Sequence, residues 1–91
     1  MAKAWSEPKD PQEVLDYVVD WSKPLAGDII TTSTWTLPDG IVAGQEDSTD
    51  TTTTIWLSSG VHGQSYDLVN RITTAAGRVR EQTCTLKVKT K

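Results

Sequence analysis

Between Gly63 and Lys89 the chain alternates apolar and polar residues along two arms separated by a glycine-containing break, and this pattern dictates a β-hairpin. In the first arm Tyr66, Leu68 and Ile72 recur at even spacing, with Asp67 and Arg71 between them. In the second, Cys84, Leu86 and Val88 share one face while Thr83, Thr85, Lys87 and Lys89 point the other way. Ala75-Ala76-Gly77 suits a three-residue connection in which Gly77 takes the left-handed conformation. A lone hairpin is marginal in water, so the rest of the chain must supply a second layer.

Ninety-one residues allow one domain with a thin two-layer core. With 36% apolar residues and no Phe, the four Trp and two Tyr must carry much of the burial. The net charge of −3 lacks the basic balance of a dedicated nucleic-acid binder. The charge is unevenly spread: residues 1–50 hold three Lys against ten acids, net −7, and residues 51–91 hold six basic residues against Asp67 and Glu81, net +4. Unless strand interleaving cancels it, this asymmetry leaves one acidic and one basic surface, suited to contact between copies or with a charged neighbour. A single cysteine excludes an internal disulfide, and Cys84 reads as a small buried hydrophobe. No apolar leader or membrane-spanning run is present, so synthesis and retention in the cytoplasm is the expectation.

Residues 1–13, with two prolines and mixed charge, are expected to form a flexible N-terminal arm, and residues 14–91 the folded domain. Trp5 either folds back over the sheet edge or anchors in a partner's groove. Leu15, Tyr17, Val19 and Trp21 alternate with Asp16 and Asp20, a strand pattern that outweighs a helical start at Pro11. Pro24 and Gly27 mark a turn. In residues 29–37, rich in β-branched side chains, Ile29, Trp35 and Leu37 are expected inside and Thr32, Thr34 and Thr36 outside. After a Pro38-Asp39-Gly40 turn, Ile41 and Val42 begin a short strand that gives way to a polar loop over residues 44–50. In the strand 51–57, Ile55 and Leu57 face the core and Trp56 faces out.

Short strands at this spacing, with no clear helix, read as an all-β antiparallel sandwich. The run Gly63-Gln64-Ser65-Tyr66-Asp67-Leu68-Val69-Asn70 resembles the start of the penultimate strand of immunoglobulin-like domains, where a Tyr turns its hydroxyl back onto the backbone. A narrower resemblance is carried by Pro-Gln-Glu-Val-Leu-Asp-Tyr-Val-Val-Asp-Trp (11 to 21), Leu-Ala-Gly-Asp (25 to 28), Ser-Thr-Trp (33 to 35), Thr-Thr-Ile-Trp-Leu-Ser-Ser-Gly (53 to 60) and Asn-Arg-Ile-Thr-Thr-Ala-Ala-Gly-Arg (70 to 78). Together these are similar to the short immunoglobulin-like proteins of tailed phages and prophages, the fiber-tail adaptor proteins, in order, spacing and length. The resemblance implies an immunoglobulin-like antiparallel β-sandwich of about seven short strands. It also implies a virion structural protein, made in the host bacterial cytoplasm, with no catalytic role. Such a protein binds other virion proteins at the head–tail or tail–fiber junction.

The side chains for catalysis are missing. His62 is the only histidine and lies in a glycine-flanked turn. There is no Cys/His cluster, and Glu46, Asp47 and Asp50 read as a solvated acidic loop and not a calcium site. The glycines at 60 and 63 lead into a strand and not a helix, so no phosphate cradle forms. No cofactor, metal, nucleic acid or membrane is expected. The candidate partner-contact residues are Trp5, Trp56, Arg71, Arg78 and Arg80, in contact with other virion proteins and with further copies of the chain. The alternative is a carbohydrate-binding or adhesive module, with Trp56 as a platform for sugar.

Overall fold

The computed structural model describes residues 2–5 and 8–91, and for residues 2–4 the backbone alone. Of the expected N-terminal arm, Met1, Ser6 and Glu7 lie outside the described residues. Two sheets stack face to face. The larger has the order β1-β7-β6-β3, formed by β1 (Ala2–Ala4), β7 (Val79–Lys87), β6 (Ser65–Thr74) and β3 (Ile30–Thr36). The smaller has the order β2-β5-β4, formed by β2 (Leu15–Asp20), β5 (Thr52–Ser59) and β4 (Ile41–Ser48). Every pairing is antiparallel except β1 with β7, which is parallel. Among the described residues no helix is long and apolar enough to cross a membrane.

The hairpin forms as the alternation requires. Residues 65 to 73 pair in unbroken register with 87 down to 79, and the Thr74 N–H donates to Arg78 O at 2.9 Å across the turn. Gly77 sits at φ 86°, a conformation costly for a residue bearing a Cβ. Tyr66, Leu68, Ile72, Cys84, Leu86 and Val88 are all buried. From the other sheet Tyr17, Ile41, Ile55 and Leu57 meet Tyr66, Leu68, Leu86 and Val88 in one cluster. A second cluster joins Val19, Trp21, Leu25 and Ile30 to Ile72 and Cys84. Leu25 is supplied by α1 (Ser22–Leu25), a single turn ended by Ala26 in the left-handed region, where the sequence predicts only a turn.

Two expectations fail, each beside a bulge. In β3 the register shifts between Ile30 and Thr32, so Ile30 is buried and Ile29 exposed, the reverse of strict alternation. Beyond the shift Trp35 and Leu37 do pack against the core, as expected. In β4 the register shifts between Ala43 and Glu46, and the strand then continues to Ser48 where the sequence predicts a loop. Glu46, Asp47 and Ser48 gain backbone pairing to β5 without burying a side chain, so their polarity conceals the strand.

The N-terminal segment is tied to the sheet at both described ends. The Trp5 N–H donates to Thr85 O at 3.2 Å and the Lys9 N–H to Lys87 O at 2.9 Å, while Lys89 N–H donates to Lys9 O at 2.8 Å. Lys9 is 0% exposed. Its ammonium donates to the carbonyls of Asp10, at 2.9 Å, and of Ser59. Burial pulls its pKa below the ordinary lysine value, with the carboxylates of Glu13 and Asp10 opposing. Close by, two residues beyond Ser59, the Val61 N–H donates to Tyr66 Oη at 2.9 Å, as the sequence resemblance anticipates.

Candidate binding surface

β5 is the middle strand of the smaller sheet, so its outward side chains have a neighbour on either side. Trp56 points outward because Ile55 and Leu57, on either side of it, are fully buried, and it is 37% exposed. Its partner across β2 is Asp16. On the β4 side lies Gly44 at the bulge, where even a Cβ would come no nearer than 3.5 Å to the Trp56 Cβ. The indole is therefore flanked by one carboxylate and one residue without a side chain. Val18 and Val42, which pair with Thr54 and Ser58, stand diagonally to it and are 45% and 53% exposed.

β2, β4 and β5 contain four acids, Asp16, Asp20, Glu46 and Asp47, and no lysine or arginine. Asp47 accepts from the Gln45 amide at 2.8 Å, and Asp20 accepts from the Ser22 N–H at 2.9 Å. Asp16, Asp20 and Asp47 share the outward parity of Trp56, whereas Glu46 stands opposite the buried Ile55, so the face is an apolar centre with three carboxylates spaced along it. Such a surface attracts cationic groups, because an indole face and a nearby carboxylate both favour positive charge.

The three arginines of the hairpin do not form one rim. Arg71 is opposite Glu81 on the outer side of the larger sheet. Arg80 is opposite the buried Ile72 and so has inward parity, but it is exposed at the hairpin end. Arg78 donates to Asp28 Oδ2 at 3.0 Å. The Asp28 carboxyl is held below the usual range by the Thr74 hydroxyl, then by the Ile29 N–H, Arg78 and the Ala76 N–H. Trp5 is packed inward. Its ring lies 4.7 Å from that of Tyr17 and 6.4 Å from that of Trp35, and its Nε1–H donates to Val18 O at 3.4 Å.

His62 Nδ1 accepts from the Thr90 N–H at 2.9 Å, in a loop at the opposite end from the arginines. Beside it a hollow of about 360 Å³ is lined by Trp5, Pro8, His62, Gln64, Lys87 and Lys89. Its described lining has no carboxylate to pair with the histidine as an acid–base couple. Among the described residues no group of three or more His, Cys, Asp or Glu is placed to hold a metal ion.

Sequence reasoning missed two positions that matter to the architecture. Lys9 gave no signal, because a lysine between prolines looks solvated. Asn70 did give one, since it stands between Leu68 and Ile72 on the inward parity of β6. Its side chain is fully buried. Oδ1 accepts from Trp21 Nε1–H at 2.9 Å and from Thr53 Oγ1–H at 2.7 Å. Nδ2 donates to Ser33 Oγ and Thr34 O, both at 3.0 Å.

Compared with known protein families, residues 9–87 match the profile described as podophage GP4 fiber-tail adaptor protein gp77. The chain belongs to this family. The match begins at buried Lys9 and ends at Lys87, the last residue of β7, so it spans the whole sandwich apart from β1. The family is one of structural phage adaptor proteins and not of enzymes. None of the curated proteins compared with the chain matches it.

Proposed function

We propose that the chain is an adaptor that joins other virion proteins at the head–tail or tail–fiber junction of a tailed phage, with the outer face of β2-β5-β4 as its contact surface. Membership of a phage adaptor family supports the virion role. The observation that carries the contact surface is Trp56, a large indole left exposed in mid-sheet, with Asp16 across from it and Val18 and Val42 on its diagonals. Aromatic residues in such positions dominate protein interfaces when a partner covers them. Arg80 at the hairpin end and Arg71 on the outer side of the larger sheet are further, separate basic contacts; Arg78 and Trp5 are engaged within the chain and act by shaping the scaffold.

The scaffold is, in this reading, an immunoglobulin-like sandwich. In support, its second, fifth and fourth strands share one sheet and its third, sixth and seventh the other, as in that fold. The Tyr66 hydroxyl at the start of the penultimate strand also bonds back to Val61. β1 departs from the constant-type order by pairing with β7 instead of β2.

Carbohydrate binding is the weaker reading, since Trp56 is the one aromatic among the exposed large hydrophobics of the described residues and no second ring extends a platform for sugar. The test replaces Trp56 with a photo-crosslinking phenylalanine analogue during phage production. Mass spectrometry of irradiated virions is expected to find the chain joined at this position to a neighbouring polypeptide of the virion, a second copy of the chain included. Virions that contain the chain but give no adduct from this position would overturn the contact surface. Parent virions, made with the unsubstituted chain, that lack it would overturn the adaptor role.

A further inference from the structure

The acidic indole face needs a cationic partner, and the chain carries a cationic surface at its other extreme. The smaller sheet has no basic residue, whereas the β6–β7 hairpin end presents Arg71, Arg78 and Arg80. These arginines are not equivalent. Arg78 is committed to Asp28, and Arg71 stands across from Glu81. Arg80 stands across from the apolar Ile72, at the exposed end of β7 beside the turn. A guanidinium there has a carboxylate-free cross-strand position and room to reach outward.

We infer that the hairpin end of one copy docks on the β2-β5-β4 face of a second copy, with Arg80 of one chain set against Trp56 and Asp16 of the next. The inference rests on the adaptor reading for its setting and names a second copy of this chain as the occupant of that face. Guanidinium over indole is favourable, and more so as water is excluded. Asp16 supplies the counter-charge, directly across the strand pair from Trp56. Gly44 keeps the far side of the indole clear for the approach. The two surfaces are different, so the contact is head-to-tail. Each added copy presents the same pair of surfaces to the next, and such contacts close into a ring or continue as a filament, depending on the rotation between neighbours.

The test is the mass of the purified full chain by light scattering across protein concentration, at low and high salt. The expected result is a mass rising above the 10.0 kDa of one chain as concentration increases at low salt, and falling back as salt is added. Trp56→Ala, Asp16→Lys and Arg80→Glu are each expected to weaken association by about tenfold or more. An equimolar mixture of the Asp16→Lys and Arg80→Glu proteins is expected to recover it, because each supplies the charge the other now requires. Circular dichroism melts of the variants matching the parent would confirm that all are folded. A mass of one chain at every concentration would overturn the inference, as would association that none of the three changes weakens, or variants that fail to recover on mixing. If the protein is a strict monomer yet is found in virions, this inference falls and the adaptor reading stands. Association without incorporation into virions would give the reverse.

Discussion

The indole N–H of Trp21 donates to Oδ1 of Asn70 across 2.9 Å, joining the end of β2 to the middle of β6 inside the core. Trp21 follows the last residue of the smaller sheet's β2, and Asn70 belongs to the larger sheet, so the bond fastens the two layers to each other. Thr53 of β5 adds a second tie to the same oxygen at 2.7 Å. Asn70 meets Ser33 and the Thr34 carbonyl of β3 through its amide nitrogen. A buried amide with four satisfied contacts fixes one relative position of the sheets, which apolar contacts alone would leave less defined.

Asn70→Ala therefore strands Trp21 Nε1 and the Thr53 hydroxyl in a dry interior and removes the donor to the partly buried Thr34 carbonyl, besides leaving a cavity. The expected loss is about 3 kcal/mol from the unsatisfied groups and the void. Thr53→Val removes one tie from the same oxygen, for about 1 kcal/mol. Urea unfolding followed by tryptophan fluorescence checks both. A loss below about 0.5 kcal/mol for Asn70→Ala would show that the network does not hold the sheets.

Lys9→Met keeps the aliphatic stem but leaves the Ser59 and Asp10 carbonyls without their donor, for an expected cost of about 1–3 kcal/mol. It also changes the alkaline behaviour. The folded-state pKa of Lys9 lies below the ordinary 10.5 because burial disfavours the ammonium. Between those two values the unfolded chain binds more protons at this site than the folded one, so the Lys9 contribution to stability rises with pH in that window. Unfolding free energies measured from pH 8 to 10.5 are expected to show a positive increment in the parent that Lys9→Met lacks.

Gly60 at φ 99° has no room for a side chain: a Cβ would stand 2.8 Å from Val88 Cγ2. Gly60→Ala is expected to destabilise by about 2–3 kcal/mol, combining left-handed strain with a forced shift of a buried valine. Tyr66→Phe, which removes the acceptor of the Val61 N–H, is expected to cost about 1 kcal/mol. Thermal melts of the two variants rank them, and an unchanged melting temperature for Gly60→Ala would refute the close approach.

Acid weakens the fold through carboxylates whose native pKa values lie below their unfolded ones. Asp28 is held down first by the Thr74 hydroxyl, Asp10 first by the Lys91 N–H, and Glu13 first by the Asp10 N–H. Their contribution is fully present above the unfolded carboxylate values, near 4, and is lost as pH falls through the lowered native ones. Asp28→Asn is expected to flatten the fall in melting temperature between about pH 5 and pH 2. A parent-like acid limb in that variant would remove Asp28 from the account.

How much of this could be read from the chain depends on which physical term decided each element. The hairpin was legible because burial on one side of a regular ladder leaves a period of two, from which the inward apolar positions Tyr66, Leu68, Ile72, Cys84, Leu86 and Val88 follow. Trp56 was legible as outward for the same reason. Ile29 was misjudged because one extra residue near Thr31 reverses parity, and bulges leave no compositional trace when the residues on both sides are threonine and isoleucine. β4 past Ala43 was hidden because backbone pairing needs no apolar side chain. Lys9 could not be found locally, since the carbonyl of Ser59 that receives it is fifty positions away.

The acidic second half of β4 has a consequence for how copies of the chain meet. β4 forms one edge of its sheet, bent by a bulge and carrying Glu46 and Asp47. A neighbouring copy laid strand against strand there would bring like charges together along a bent edge. Fusion of sheets between copies, the usual route from a β-rich chain to an aggregate, is thereby obstructed at this edge. Copies that meet at this edge remain separate folded bodies.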